Sequence, residues 1–189
     1  VSGIGPGASP AQPTLETERL LLRPFRLEDG PEVQRLAGDR AVADTTIAIP
    51  HPYPDGAAEE WISTHASKFA AGTEATFAVT RKPEGDLVGA IGLMISPAHA
   101  RAELGYWIAV PFWGRGYATE AGRAVLEYSF TRLGLHRIQA RYLVRNPASG
   151  RVLEKLGMRM EGIQRHAVRK WDVFEDVAQV AILATEWTR

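Results

Sequence analysis

The sequence predicts a mixed α/β fold, with a mostly antiparallel central sheet of about seven strands flanked by about four helices. Three observations carry that expectation. Ala75 to Thr80 and Leu87 to Ile95 are alternating apolar runs joined by the polar turn Lys82-Pro-Glu-Gly-Asp86, the pattern of an antiparallel hairpin. Tyr117 to Leu133 carries Ala118, Ala121, Val125 and Tyr128 at helical spacing, between two further strand-like runs. A strand, a long helix and a strand in that order require a right-handed parallel crossover inside the antiparallel sheet.

Taken in order, Arg19 to Pro24 reads as the first strand, ended by its proline. Leu27 to Gly38 reads as a helix, with Glu28 and Asp29 at its start, Pro31 in its first turn and Gly38 at its exit. The prolines of Ala48 to Gly56 exclude regular structure there. A second helix is expected from Ala57 to Ala71, opened by Glu59 and Glu60. After the hairpin, Ala102 to Val110 makes another strand, and Gly134 stops the long helix. Arg137 to Val144 alternates again. Asn146 and Pro147 open a short helix as N-cap and first-turn proline, and Gly157 ends it. Met160 to Arg169 and Asp176 to Thr185 supply the last two strands, and no internal repeat interrupts the series.

With 189 residues the chain suits one domain, placed at 14–189, and the Gly-, Pro- and Ser-rich residues 1–13 read as a flexible leader. Lys+Arg and Asp+Glu both number 22, so no global field attracts nucleic acid or an anionic membrane. Cys is absent, which removes disulfides, thiolate metal sites and a cysteine-linked acyl intermediate, and fits a cytoplasmic location. No apolar run reaches bilayer length. His51, His65, His136 and the remaining histidines show no paired metal-ligand spacing, so no metal is assigned. A Gly-x-Ser-x-Gly elbow is missing, which argues against a serine hydrolase.

The functional signal lies after Pro111. Gly114 and Gly116 strip side chains from the turn that leads into the long helix, so backbone N–H groups there can close around an anion. The positive end of the helix points at the same place. A strand, a bare turn and a helix start make a pyrophosphate cradle, although Gly-x-Gly alone would also fit a tight turn without a ligand. The late position and spacing of this turn do not suit a dinucleotide-binding Rossmann unit.

The order of elements and the segment Trp113-Gly-Arg-Gly-Tyr-Ala118 resemble the GNAT N-acetyltransferase superfamily. Its acetyl-CoA motif runs Gln/Arg-x-x-Gly-x-Gly/Ala; Gly116 and Ala118 match the last two places and Trp113 stands in the first. The segments Leu15 to Pro24, Glu103 to Ile108 and Asn146 to Ser149 leading to Glu154-Lys-Leu-Gly157 are similar to the branch that includes ribosomal-protein alanine and serine N-terminal acetyltransferases.

The resemblance implies acetyl-CoA as co-substrate, with its pyrophosphate on the amides of Trp113, Gly114, Arg115, Gly116, Tyr117, Ala118 and Thr119. Thr119 adds a hydroxyl and Arg115 a charge-assisted contact. A backbone N–H near Ile108 to Val110 is expected to polarise the thioester carbonyl if the strand splays there. By alternation Glu103, Gly105, Trp107 and Ala109 share one face of that strand, and Glu103 is the candidate base, with a strand-start ion pair as the plainer alternative. In the resembling branch Asn146 contacts the pantetheine arm and Ser149 protonates the leaving thiolate; both residues also read as a helix cap and first turn, and Tyr142 is a second candidate acid. Arg151 is within reach of the phosphates. Tyr53, Trp61, Trp107 and Trp171 are expected around the acceptor, Trp61 with a core role as the alternative. The expected reaction is direct acetyl transfer to an amine, either a protein N-terminus or a small molecule. A longer acyl donor or a catalytically silent acyl-CoA-binding module stays open, as does a homodimer.

Overall fold

The computed structural model of the chain describes residues 11–188. The expected leader falls mostly outside the described residues; within them, Gln12 Nε2 donates to the Thr76 carbonyl at 2.8 Å. The elements are β1 (Leu15–Glu16), β2 (Leu20–Pro24), α1 (Gly30–Ala37), α2 (Arg40–Thr45), α3 (Ala57–Ser63) and α4 (His65–Ala70). There follow β3 (Glu74–Arg81), β4 (Leu87–Ser96), β5 (Arg101–Ile108), α5 (Tyr117–Thr131), β6 (Arg137–Leu143), α6 (Pro147–Lys155), β7 (Arg159–Lys170) and β8 (Val173–Leu183).

The eight strands form one sheet in the order β1-β2-β3-β4-β5-β6-β8-β7. Every neighbouring pair is antiparallel except β5 and β6, which α5 connects. The mixed, mostly antiparallel sheet expected from the sequence is therefore observed, with one strand and two helices more than anticipated. The two-residue β1 is too short for a periodic signal. Asp39, directly after Gly38, caps α2 by accepting from Ala41 N at 2.8 Å, so the chain restarts a helix where an exit was expected. The anticipated helix 57–71 breaks at Thr64, whose hydroxyl donates back to the Trp61 carbonyl at 2.8 Å. The last turn is Trp171–Asp172, both at positive φ (47° and 66°), so β8 begins earlier than residue alternation suggested.

Both faces of the sheet are covered by helices. Against one face, Tyr117, Ala121 and Val125 of α5 and Leu153 of α6 pack on Leu22, Phe77, Ile91, Leu104 and Ile138. On the other, Val33, Leu36, Val42 and Ile62 pack on Ala78, Ala90 and Trp107. Burying each large apolar side chain contributes about 1.5–3 kcal/mol, which makes the sheet centre a stiff support for what lies at its end.

One irregularity positions the site. β5 pairs with β4 from Ser96↔Arg101 to Gly89↔Ile108, but with β6 only from Arg101↔Arg137 to Leu104↔Ala140. β6 meanwhile stays with β8 through Leu143. Beyond Leu104 the two parallel strands diverge and leave a wedge-shaped opening in the sheet. Ala109 N donates to the Val88 carbonyl at 2.9 Å, so the main-chain groups of 105, 107 and 109 face β4. Alternation then turns those of Tyr106 and Ile108 into the wedge.

Candidate active site

A cleft of 340 Å³ runs through this wedge. On the α5 side Phe112, Trp113, Gly114, Gly116, Tyr117, Ala118 and Thr119 line it; α6 contributes Ala148, Ser149, Arg151, Val152 and Lys155. Tyr106, Trp107 and Ile108 form its middle, and Val42, Thr45 and Thr46 its far end. The charged residues of the lining are Arg151 and Lys155, and among the described residues it holds no carboxylate and no imidazole.

The glycine turn is built as its sequence implies. Gly114 and Gly116 have φ of 73° and 81°, a region that costs other residues about 1–2 kcal/mol. A Cβ built on Gly114 would meet only open space. Glu120 N is the first amide of α5 to bond back into the helix start, to the Gly116 carbonyl at 3.0 Å. The amides of Tyr117, Ala118 and Thr119 therefore belong to the unpaired first turn, where an anion finds both donors and the positive helix end. The residues present fit a diphosphate.

Three features of the cleft were not visible beforehand. Tyr106 Oη lies 2.7 Å from Ser149 Oγ, joining β5 to the first turn of α6. Burial pushes the Tyr106 phenol up to about 12, against the opposing effect of the Ser149 hydrogen bond, so it stays protonated at neutral pH. The Trp113 indole Nε1 donates to the Ile108 carbonyl at 2.6 Å and so occupies an acceptor that β6, having diverged, no longer fills. At the far end, Lys170 Nζ donates to the carbonyls of Thr46 (2.6 Å) and Ile49 (3.2 Å), pinning the proline-rich loop under the β7–β8 turn. Burial, and then the charge of Arg145, lower the Lys170 pKa, with Asp44 opposing. Arg145 itself bridges Asp44 (3.1 Å) and Glu175 (2.7 Å).

Of the residues singled out from sequence, the cleft gathers Trp107, Ile108, Trp113, Gly114, Gly116, Tyr117, Ala118, Thr119, Asn146, Ser149 and Arg151. Others lie elsewhere, each for a physical reason. Glu103 shares a face with Trp107 but sits where β5 and β6 are still paired. Its carboxylate accepts from Arg141 Nε at 2.8 Å and Gln139 Nε2 at 3.2 Å, the ion pair of the plainer alternative, and it stands outside the cleft lining. Val110 opens a short 3₁₀ turn, and its carbonyl accepts the Trp113 amide at 3.1 Å; that amide is thus engaged within the protein. The Arg115 guanidinium lies over the Phe112 ring, 5.8 Å from its centroid, outside the lining. Trp61 packs edge-on against Phe25 and His65, the core role. Tyr53 is half-buried against the α1–α3 core, and Trp171 stacks with Arg40 and Lys170 over the loop. Asn146 caps α6 by accepting from Ser149 N (3.1 Å) and donates to the Thr45 carbonyl (3.0 Å), so it also braces the far end of the cleft. Tyr142 packs under Gly150 and does not reach the opening.

Among the described residues no group of three or more His, Asp or Glu is arranged to hold a metal, and no helix is long and apolar enough to cross a membrane. Comparison with known proteins agrees with the geometry. The N-acetyltransferase p20 of Bacillus licheniformis is 31% identical over 176 residues, covering 92% of this chain and 98% of that one. RimJ of Mycobacterium smegmatis, solved with CoA-disulfide, superposes with a TM-score of 0.83 at 25% identity, covering 95% of this chain and 91% of that one. Spermidine N-acetyltransferase of Vibrio cholerae, solved with CoA and spermine, gives a TM-score of 0.78 at 26% identity over 90% of this chain and 98% of that one. The family model described as acetyltransferase (GNAT) domain matches residues 19–159, a span that contains the glycine turn, the wedge and α6 together. The chain belongs to the GNAT acetyltransferase family.

Proposed function

We propose that the protein transfers the acetyl group of acetyl-CoA to an α-amine, such as a peptide N-terminus, and that it does so without a base of its own. The observation that carries this reading is the absence of any carboxylate or imidazole from the described lining of a cleft that runs through the wedge. An α-amine has a pKa of about 7.7–8.0, so roughly a third of it is neutral at pH 7.5. A lysine-like amine, at about 10.4, is neutral to only about 0.1%. Without a base, that ratio alone favours α-amines on the order of 10²-fold. A polyamine would also find no counter-charge in the lining, which contrasts with the spermine held by the Vibrio cholerae neighbour.

In this reading the diphosphate rests on the α5 start while the donor arm follows β5 through the wedge, taking the place of the missing neighbour strand. The arm then competes with the Trp113 indole for the Ile108 carbonyl. The inward N–H groups of Tyr106 and Ile108 face the thioester oxygen and stabilise the charge that develops there. The neutral amine enters over Trp107 from the Thr45–Thr46 end. As the C–N bond forms and the C–S bond breaks, the amine proton leaves to water. Ser149 donates its proton to the departing thiolate, and Tyr106, donating to Ser149 Oγ, replaces it. Water returns the proton to Tyr106 as the products leave, which balances the one released by the amine. Holding both reactants side by side supplies much of the acceleration.

An acceptor panel tests the proposal. Thiol release from acetyl-CoA is expected with a peptide carrying a free N-terminus and a blocked lysine. Release only with N-blocked lysine peptides or spermidine would contradict it.

A further inference from the structure

The segment Thr17–Arg19 lies outside the cleft lining, yet it is bound to the back of the glycine turn through several independent contacts. Arg19 Nη1 donates to the Arg115 carbonyl at 3.1 Å. Arg19 Nε and the Arg19 main-chain N donate to Glu120, at 2.7 Å and 2.9 Å, and the Thr17 hydroxyl reaches the same carboxylate at 2.6 Å. The guanidinium also covers the Tyr117 ring, 4.8 Å from its centroid. Arg19 belongs to the turn between β1 and β2, about a hundred residues from the glycines it touches.

Resting on the reading of the cleft as a diphosphate site, we infer that Arg19 is a positioning residue: by holding the Arg115 carbonyl outward, it aims the Gly116 amide into the cradle. A trans peptide points its C=O and N–H in opposite directions. A flip of the 115–116 peptide changes ψ of Arg115 and φ of Gly116, and because the glycine accepts φ of either sign, little else prevents it. A flip would turn a carbonyl oxygen towards the diphosphate and replace attraction by repulsion. Arg19 performs a second service in the same place. Glu120 puts a carboxylate in the first turn of α5, close to where an anion must bind. Burial disfavours that charge, but the hydrogen bonds from Thr17 and Arg19 keep its pKa below 4.5, so it is ionised at neutral pH. The Arg19 guanidinium neutralises it at 2.6 Å. Only a planar fork of donors can hold a carboxylate and a carbonyl at fixed angles simultaneously; an ammonium cannot.

The test compares wild type, Arg19→Lys and Arg19→Met by calorimetric titration with CoA, alongside turnover of S-acetylpantetheine, which lacks the diphosphate, on the same acceptor peptide. CoA is expected to bind about tenfold more weakly to Arg19→Lys and more weakly still to Arg19→Met, with S-acetylpantetheine turnover within about twofold of wild type. Equal CoA affinity in all three proteins overturns the inference. So does a parallel loss of S-acetylpantetheine turnover, which would mark a general structural role. Wild-type affinity in Arg19→Lys alone also overturns it, because a point charge acting directly on the ligand would survive that change. Failure of the wild type to bind CoA would instead remove the diphosphate site itself.

Discussion

The two ends of the cleft are made of different material. At the glycine turn the functional groups are main-chain amides, oriented by two positive-φ glycines and the start of α5. Side chains there act from behind, as Arg19 does. At the Thr45–Thr46 end the wall is the C-terminal end of α2 and the start of the proline-rich loop, whose carbonyls are held by the side chains of Arg145, Asn146 and Lys170. A main-chain cradle suits a ligand portion that never changes. An end assembled from side chains can be altered residue by residue, which suits the partner that differs between family members.

Several variants would break or sharpen the contrast. Ser149→Ala should have the largest effect, lowering kcat about 10²-fold at saturating acetyl-CoA while CoA affinity, measured by calorimetry, stays within about twofold. A matched loss of affinity would place Ser149 in binding instead. Gly116→Val acts on the donor end alone: forcing a β-branched residue to φ 81° should weaken CoA about 10- to 30-fold with acceptor KM unchanged. Lys170→Met is its counterpart at the other end. It removes two charge-assisted hydrogen bonds, so acceptor KM should rise several-fold while CoA affinity holds, the loop having lost about 1.5–3 kcal/mol per bond. If both variants disturbed both ligands equally, the division into two ends would be wrong. Glu103→Gln should change kcat less than about threefold, since an exposed ion pair is worth only about 0.2–1 kcal/mol.

The two ends also respond to pH, in the same direction but at opposite ends of the scale. Glu120 has a lowered pKa, so its stabilising contribution is present in full above pH 4.5 and is lost as pH falls through its folded value. Lys170 has a pKa below 10.5, so between its folded value and 10.5 the unfolded chain binds more protons and stability rises with pH. Denaturant titrations of wild type, Glu120→Gln and Lys170→Met should therefore differ in slope at opposite ends of the pH range.

The same division governs how much was legible beforehand. Gly114 and Gly116 announce their conformation locally, and the crossover through α5 follows from spacing, so the cradle and its place beyond β5 could be read directly. Asn146 was legible as a cap for the same reason. The Tyr106–Ser149 contact joins residues 43 positions apart and has no periodic signature. Alternation placed Glu103 on the correct face of β5. What it could not show is that β5 and β6 separate only after Leu104, leaving Glu103 beside Arg141 and short of the opening. Trp61 and Trp171 looked alike as aromatic candidates, but one fills a core and the other roofs a loop, a difference set by packing between distant segments.

The absence of an enzyme base is the claim on which the acceptor assignment stands, and the pH dependence of kcat/KM across peptides whose α-amines differ in pKa tests it most directly. The account expects the midpoint of the rise with pH to follow the pKa of each acceptor amine. A midpoint that stayed fixed while the acceptor pKa changed would reveal a titrating group on the protein and contradict it.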